Sequence, residues 1–148
     1  MEKPHTLGSD PVLFEYFDHA ADLGIRVTAP SLPSLFATAA GALMAWIGPV
    51  PANASEHKME VTLEAEDVAE LLVRWLQEVL YLFHQRHAYL VRVVDMRITE
   101  SQLEAILACR EWDDAEYANY QEVKAVTYHQ LHVTHSEAGW AASYIIDI

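Results

Sequence analysis

The chain has few residues that carry positive charge. Lysine and arginine number 9 in total, against 22 aspartates and glutamates, so the formal net charge is −13 at pH 7. Proteins that bind RNA or DNA directly use lysine and arginine to neutralise phosphates, and this chain can do so only weakly. We therefore expect no strong direct binding of nucleic acid. An acidic surface instead suits a cation, a basic protein partner or plain solubility.

Cysteine and long apolar runs are also scarce. The single cysteine, Cys109, excludes an internal disulfide and is typical of proteins in the reducing cytosol. No apolar run approaches the roughly 20 residues that span a bilayer. The N-terminus lacks the basic start and apolar segment of a secretory signal. We therefore expect a cytoplasmic protein that does not associate with membranes.

The common enzyme motifs are missing as well. The chain contains no G-x-G-x-x-G or P-loop glycine pattern, no G-x-S-x-G and no H-E-x-x-H. Its 148 residues, 52% of them hydrophobic, are enough for one ordinary domain with a hydrophobic core. We expect residues 1–12 to form a loose leader and residues 13–148 to form a single domain.

Hydrophobic periodicity predicts two helices among several strands. Apolar residues recur at helical spacing over 32–47 and 68–83, with Ser31 and Asp67 as N-caps. Apolar and alternating patterns predict strands at about 13–18, 25–28, 58–64, 89–99, 103–110, 123–134 and 140–148. Residues 111–122 are predicted to be a long acidic connection. This order predicts an α+β fold, a two-layer sandwich with two helices packed on one face of a mixed, mostly antiparallel sheet.

The stretch from Phe14 to Ile25 carries two carboxylates and an imidazole within five residues. Asp18, His19 and Asp22 follow a short aromatic strand at the point where it runs into a turn. Side chains of these types can converge on one cation or on one basic group of a partner. The alternative is that both aspartates only form the turn, through their own backbone hydrogen bonds, and His19 is an ordinary surface residue.

The C-terminal strand adds a further carboxylate, Asp147. If this strand lies beside the first strand, Asp147 meets Asp18, His19 and Asp22. Carboxylates that are close together repel one another unless they share a proton or a cation. A hard divalent ion such as Ca²⁺ or Mg²⁺ would then bind, and His19 would also admit Zn²⁺ or Mn²⁺.

The segment before the C-terminal strand contains a lysine and three regularly spaced histidines. Lys124 is a cation within an apolar strand, where it either extends to water at the sheet edge or binds an anion or the carboxylates. His129, His132 and His135 would share a face of a helix, but on a strand His132 points away from the other two. We therefore expect no three-histidine metal site.

Four stretches, in this order, resemble the archease family, small activator proteins of RNA-splicing ligases. They are F-E-Y-F-D-H-A-A-D-L-G-I-R-V (14–27), L-L-V-R-W-L-Q-E-V-L-Y-L-F (71–83), E-V-K-A-V-T-Y-H-Q-L-H-V (122–133) and I-I-D-I (145–148). One departure is Ala20, where the family usually has threonine. The leader 1–12 and the connection 111–122 are not part of the shared pattern.

The resemblance implies a non-enzymatic partner of an RtcB-type ligase. That ligase joins RNA 2′,3′-cyclic-phosphate or 3′-phosphate ends to 5′-hydroxyl ends in tRNA splicing and RNA repair. The activator is expected to promote guanylylation of the ligase's active-site histidine and so to allow multiple turnover. The resemblance also implies an α+β fold with a divalent-cation site at the acidic turn and the C-terminal strand.

The resemblance assigns residues to that cation site. Asp22, with Asp18 and His19 near it, and Asp147 match the metal-binding acidic positions. Asp22 and Asp147 are therefore expected to be essential for activation.

Other residues of the third stretch also match. Lys124 corresponds to an essential lysine, and Glu122 and His129 belong to the same motif with less defined roles. Two rival functions remain open: a scaffold that acts through its acidic surface alone, and a metal-dependent hydrolase that uses the same carboxylates.

Overall fold

The computed structural model describes residues 13–19, 22–52 and 55–148. The predicted leader 1–12 and Ala20 lie outside these ranges. The strands are β1 (Leu13–His19), β2 (Asp22–Ala29), β3 (Glu56–Glu64), β4 (Ala88–Ile98), β5 (Gln102–Glu111), β6 (Ala125–Ser136) and β7 (Gly139–Asp147). The helices are α1 (Leu32–Ile47), α2 (Val68–Arg86) and the short α3 (Asp114–Tyr117).

The described strands form two antiparallel sheets. One has the order β1-β2-β7-β6 and the other β3-β5-β4. The predicted α+β class is confirmed, but the single mixed sheet that the sequence suggested is divided in two, and the pairings among the described strands are all antiparallel. Short links join β1 to β2, β4 to β5 and β6 to β7, and these three pairings are antiparallel because only antiparallel strands can be joined by a tight hairpin.

The two long helices begin where the sequence predicts. The Ser31 hydroxyl accepts the backbone N–H of Ser34 at 3.3 Å, and the Asp67 carboxylate accepts that of Glu70 at 2.8 Å. Both bonds satisfy N–H groups that a helix start leaves without an internal partner. These caps fix where each helix begins.

Helix α1 connects the two sheets in one hydrophobic core. The Tyr144 hydroxyl, from the four-stranded sheet, donates to the Ala39 carbonyl at 2.8 Å. The Tyr89 hydroxyl, from the three-stranded sheet, donates to the Gly48 carbonyl at 2.6 Å. Burial raises the pKa of both phenols, so both remain protonated donors at neutral pH. The same helix therefore positions both sheets.

The acidic connection 111–122 is bound to the C-terminal ends of both long helices. The Trp112 side chain donates to the Phe83 carbonyl at 3.0 Å, and its backbone N–H donates to the His87 carbonyl at 2.9 Å. Further on, the backbone N–H of Gln121 donates to the Ile47 carbonyl at 2.7 Å. These bonds satisfy carbonyl groups at or just beyond the helix ends, so the connection leads in a defined path into β6.

Replacing Trp112 tests this anchoring. Trp112→Phe keeps most of the apolar contact but leaves the Phe83 carbonyl without its donor, so we expect the free energy of unfolding to fall by about 1–3 kcal/mol. Trp112→Ala should cost about 3–5 kcal/mol, because a large buried ring is lost. Urea unfolding followed by circular dichroism measures both, with the exposed Glu111→Gln as control. A Trp112→Ala midpoint equal to wild type would contradict the anchoring.

Candidate functional site

Asp22 and Asp147 lie directly opposite each other on neighbouring strands. Strand β7 pairs with β2 in a register that makes these two residues partners. Opposite residues of an antiparallel pair have side chains on the same face and Cα atoms about 4.5–5.5 Å apart. The sequence analysis made this contact conditional on β7 lying beside the first strand; β7 lies beside the second, with β1 on the far side of β2. The pairing of β7 with β2 places Asp147 next to Asp22.

The apolar pattern of the two strands explains this register. Their buried residues pair with one another: Leu23 with Ile146, Ile25 with Tyr144, and Val27 with Ala142. A slip of one residue would turn these side chains to the outer face, so burial of the core specifies the pairing. Asp22 and Asp147, at the end of the same ladder, are consequently held together on the outer face, where both are partly buried.

Lys124 joins this pair through its backbone. Its N–H donates to the Asp147 carbonyl at 2.7 Å, immediately before β6 begins. The Lys124 side chain is exposed, and within the described ranges it forms no ion pair. The structure thus brings together the three residues that the sequence analysis named as essential for activation.

The two other residues of the acidic turn are placed differently. His19 is the register partner of Asp22 on β1, and its side chain lies outside the described part of the structure. Asp18 is the partner of the buried Leu23 and therefore lies on the face opposite to Asp22. Asp18 is exposed at this end of the sheet.

Glu122 and His129 flank the site along the chain. Glu122 is exposed two residues before Lys124. His129 is exposed within a bulge of β6, where residues 128–131 stand opposite the single residue Tyr144 of β7. Gln130 adopts a positive φ of 51°, and such a bulge bends the strand.

The described side chains alone do not complete a metal site. Among residues 13–19, 22–52 and 55–148, no group of three or more His, Cys, Asp or Glu side chains could hold a metal ion. His132 is paired with Ser143. His135 lies on the other face of β6, as the strand alternation predicts, and stacks on Trp140 with the two ring centroids 4.1 Å apart. Asp22 and Asp147 are two oxygen donors, and further ligands would have to come from elsewhere.

Helix α2 contributes two residues that the sequence analysis did not assign. The Gln77 side chain donates to the Val126 carbonyl at 3.4 Å, and the His84 Nε2 lies 3.1 Å from the Val123 carbonyl. These contacts bind the helix to the start of β6, beside Lys124. The signal in the sequence was their spacing, because helix residues seven apart share a face, but spacing does not reveal what that face contacts.

A depression in the described surface belongs to a different region. It has a volume of about 290 Å³ and lies on the three-stranded sheet. Its lining residues include Glu60, Thr62, Asp95, Arg97, Glu104 and Ile106. It contains none of the candidate residues and so provides no substrate pocket for a hydrolase that uses Asp22 and Asp147.

Comparison with known proteins decides the family. The chain matches the archease protein family (MTH1598/TM1083) over residues 14–148. This chain belongs to the archease family. It is 32% identical over 139 residues to protein archease of Methanosarcina acetivorans, covering 91% of this chain and 95% of that protein. It is 31% identical over 140 residues to protein archease of Pyrococcus abyssi, covering 91% and 98%.

A solved structure supports the same assignment. The solution structure of Methanobacterium thermoautotrophicum protein 1598 superposes on this archease with a TM-score of 0.67 and 25% sequence identity, covering 91% of this chain and 98% of that one. The family resemblance noted in the sequence is therefore confirmed, together with its fold. No helix in the described part of this archease is long and apolar enough to cross a membrane.

Two substitutions separate the backbone role of Lys124 from its side chain. Lys124→Ala keeps the N–H bond to Asp147, so we expect stability within about 0.5 kcal/mol of wild type. Lys124→Pro removes the donor and should cost about 1–3 kcal/mol. Chemical denaturation measures both. Equal destabilisation by the two variants would show that the side chain, rather than the backbone bond, stabilises this end of the sheet.

Proposed function

We propose that this archease is a non-enzymatic activator of an RtcB-type RNA ligase. It promotes guanylylation of the ligase's active-site histidine and thereby sustains multiple turnover in tRNA splicing and RNA repair. Membership of the archease family supports this proposal. The observation that carries it is the pairing of Asp22 with Asp147, with Lys124 bonded to the Asp147 backbone.

The charge of the chain suits a protein partner of this kind. A ligase that binds RNA needs a basic surface, because RNA binding depends on lysine and arginine. A chain with a net charge of −13 is electrostatically complementary to such a surface and poorly suited to RNA itself. The proposed place of action is the cytoplasm.

The paired carboxylates fit a hard divalent cation. Two like charges directly opposite on a sheet are unfavourable, and a bound cation would offset that repulsion. Ca²⁺ and Mg²⁺ take oxygen ligands, and Mg²⁺ keeps several waters when a protein offers only one or two carboxylates. His19, opposite Asp22 on β1, would add a nitrogen donor that also admits Mn²⁺ or Zn²⁺.

The site residues would act by positioning charge. The bound cation would supply positive charge to the triphosphate of GTP. Asp22 and Asp147 would hold the cation at the end of the sheet, and the exposed ammonium group of Lys124 would offer a second contact for an anionic group. Bringing the nucleotide into line with the histidine lowers the entropic cost of the reaction. Glu122 and His129 lie at the margin of this arrangement.

Activation of the ligase tests the proposal. Asp22→Asn, Asp147→Asn and Lys124→Ala should each reduce ligase guanylylation and multiple-turnover ligation by about tenfold or more, since each removes a charge from the site. The assay uses the ligase with GTP, a divalent metal and catalytic amounts of each variant, and circular dichroism checks the fold.

Asp95→Asn is the matched control. Asp95 is an exposed carboxylate on β4, in the other sheet, and its replacement should leave activation unchanged. Full activation by both Asp22→Asn and Asp147→Asn would contradict the proposed site and favour the acidic scaffold. Wild-type protein that gives no rate gain with an active ligase would contradict the activator function itself.

Thermal stability provides a second measurement of cation binding, separate from activation of the ligase. A ligand that binds only the folded state stabilises it by about 2.7 kcal/mol at a concentration one hundred times its Kd. We expect Ca²⁺ or Mg²⁺ to raise the Tm of the wild type and of Asp95→Asn, but not of Asp147→Asn. Mn²⁺ and Zn²⁺ are tested in parallel. An equal rise in Asp147→Asn would place the cation elsewhere.

A further inference from the structure

Two half-exposed tyrosines adjoin the candidate site. Tyr81 on α2 is 53% exposed and Tyr128 on β6 is 52% exposed. They belong to a small set of large apolar side chains that the described chain exposes: Val50, Tyr81, Val94, Tyr117, Tyr128 and Ile148. Neither ring is needed to fill the core, so both are free to contact a partner.

The position of Tyr81 follows from the hydrogen bonds that bind α2 to the chain entering β6. Gln77 bonds to the Val126 carbonyl and His84 to the Val123 carbonyl. Seven residues of helix and three of strand both span about 10 Å, so the two segments run side by side between these bonds. Tyr81 lies four residues after Gln77 and three before His84, on the same helical face. It therefore lies beside residues 124–125.

Tyr128 is placed by the bulge of β6. It is the first of the extra residues that interrupt the pairing with β7, four positions after Lys124. Because the extra residues bend the strand outward, the Tyr128 ring is presented to solvent. Tyr81 on α2 and Tyr128 on β6 thus both lie near the segment that begins at Lys124.

The charged residues around these rings are mostly acidic. Glu78 lies one helical turn from Tyr81, and Glu122 lies two residues before Lys124. Two carboxylates thus accompany Lys124 along this segment. Aromatic faces bordered by carboxylates are complementary to arginine, whose planar guanidinium stacks on rings and pairs with carboxylates.

We propose that Tyr81 and Tyr128 anchor a docking surface, the tyrosine rim, along the segment that begins at Lys124. Its occupant is an arginine-bearing basic surface of the partner ligase. This inference rests on the proposed function and names the face through which it operates. A few buried aromatic residues supply most of the binding energy in such interfaces, surrounded by weaker polar contacts.

Binding of full-length variants to the ligase tests the rim. By calorimetry, Tyr81→Ala and Tyr128→Ala should each raise the Kd by about tenfold or more. Tyr81→Phe should stay close to wild type, because the ring face is kept. Tyr81→Lys should bind more weakly than Tyr81→Ala, since a basic occupant repels a new cation. Val94→Ala, which trims a 43% exposed side chain on β4, is the control and should bind as wild type does.

The outcomes separate this inference from the proposed function. Tyr81→Ala should recover full activation when its concentration exceeds its raised Kd, whereas Asp22→Asn should not. If wild type binds and activates the ligase while Tyr81→Ala and Tyr128→Ala bind equally well, the rim is wrong and the function stands. Tighter binding by Tyr81→Lys would exclude a basic occupant. If wild type neither binds nor activates, the proposed function fails.

Discussion

The pairing of β2 with β7 is the interaction on which the rest of this molecule depends. It joins the second strand to the last, and its inner face supplies part of the core beneath α1. Strand β1 also packs closely on β2, because a Cβ added to Gly24 of β2 would lie 2.1 Å from the Phe17 ring of β1. The geometry of the candidate site is therefore a product of core packing.

Acidic and basic residues are unevenly distributed over the molecule. Four of the 9 cationic residues lie on the three-stranded sheet: Lys58, Arg92, Arg97 and Arg110. There Glu56 pairs with both Arg92 and Arg110, and its hydrogen bond with Arg92 is the main cause that lowers the pKa of the Glu56 carboxyl. Much of the basic charge is thus opposed within that sheet. The same strands carry six acidic residues, Glu56, Glu60, Glu64, Asp95, Glu104 and Glu111, so most of the net charge of −13 belongs to the rest of the chain, which orients the molecule in its approach to a basic partner.

The sequence predicted the local elements well because their signals are local. The caps at Ser31 and Asp67 and the helical stripes behind them depend only on neighbours in the chain. Other features depend on contacts between segments that are distant in the chain, which periodicity does not encode. They are the division into two sheets, the strand that pairs with β7 and the hydrogen bond between Gln77 and β6. Lys124 is a mixed case: its residue type suggested a role, but its backbone bond to Asp147 follows from the register alone.

The bulged strand β6 also determines how this protein can be recognised. An outer strand normally offers a row of unpaired backbone groups on which another chain can add itself. Here side chains of α2 already occupy the carbonyls of Val123 and Val126, and residues 128–131 distort the stretch beyond them. Main-chain addition along residues 123–131 is therefore hindered, and recognition at this part of the border is left to side chains.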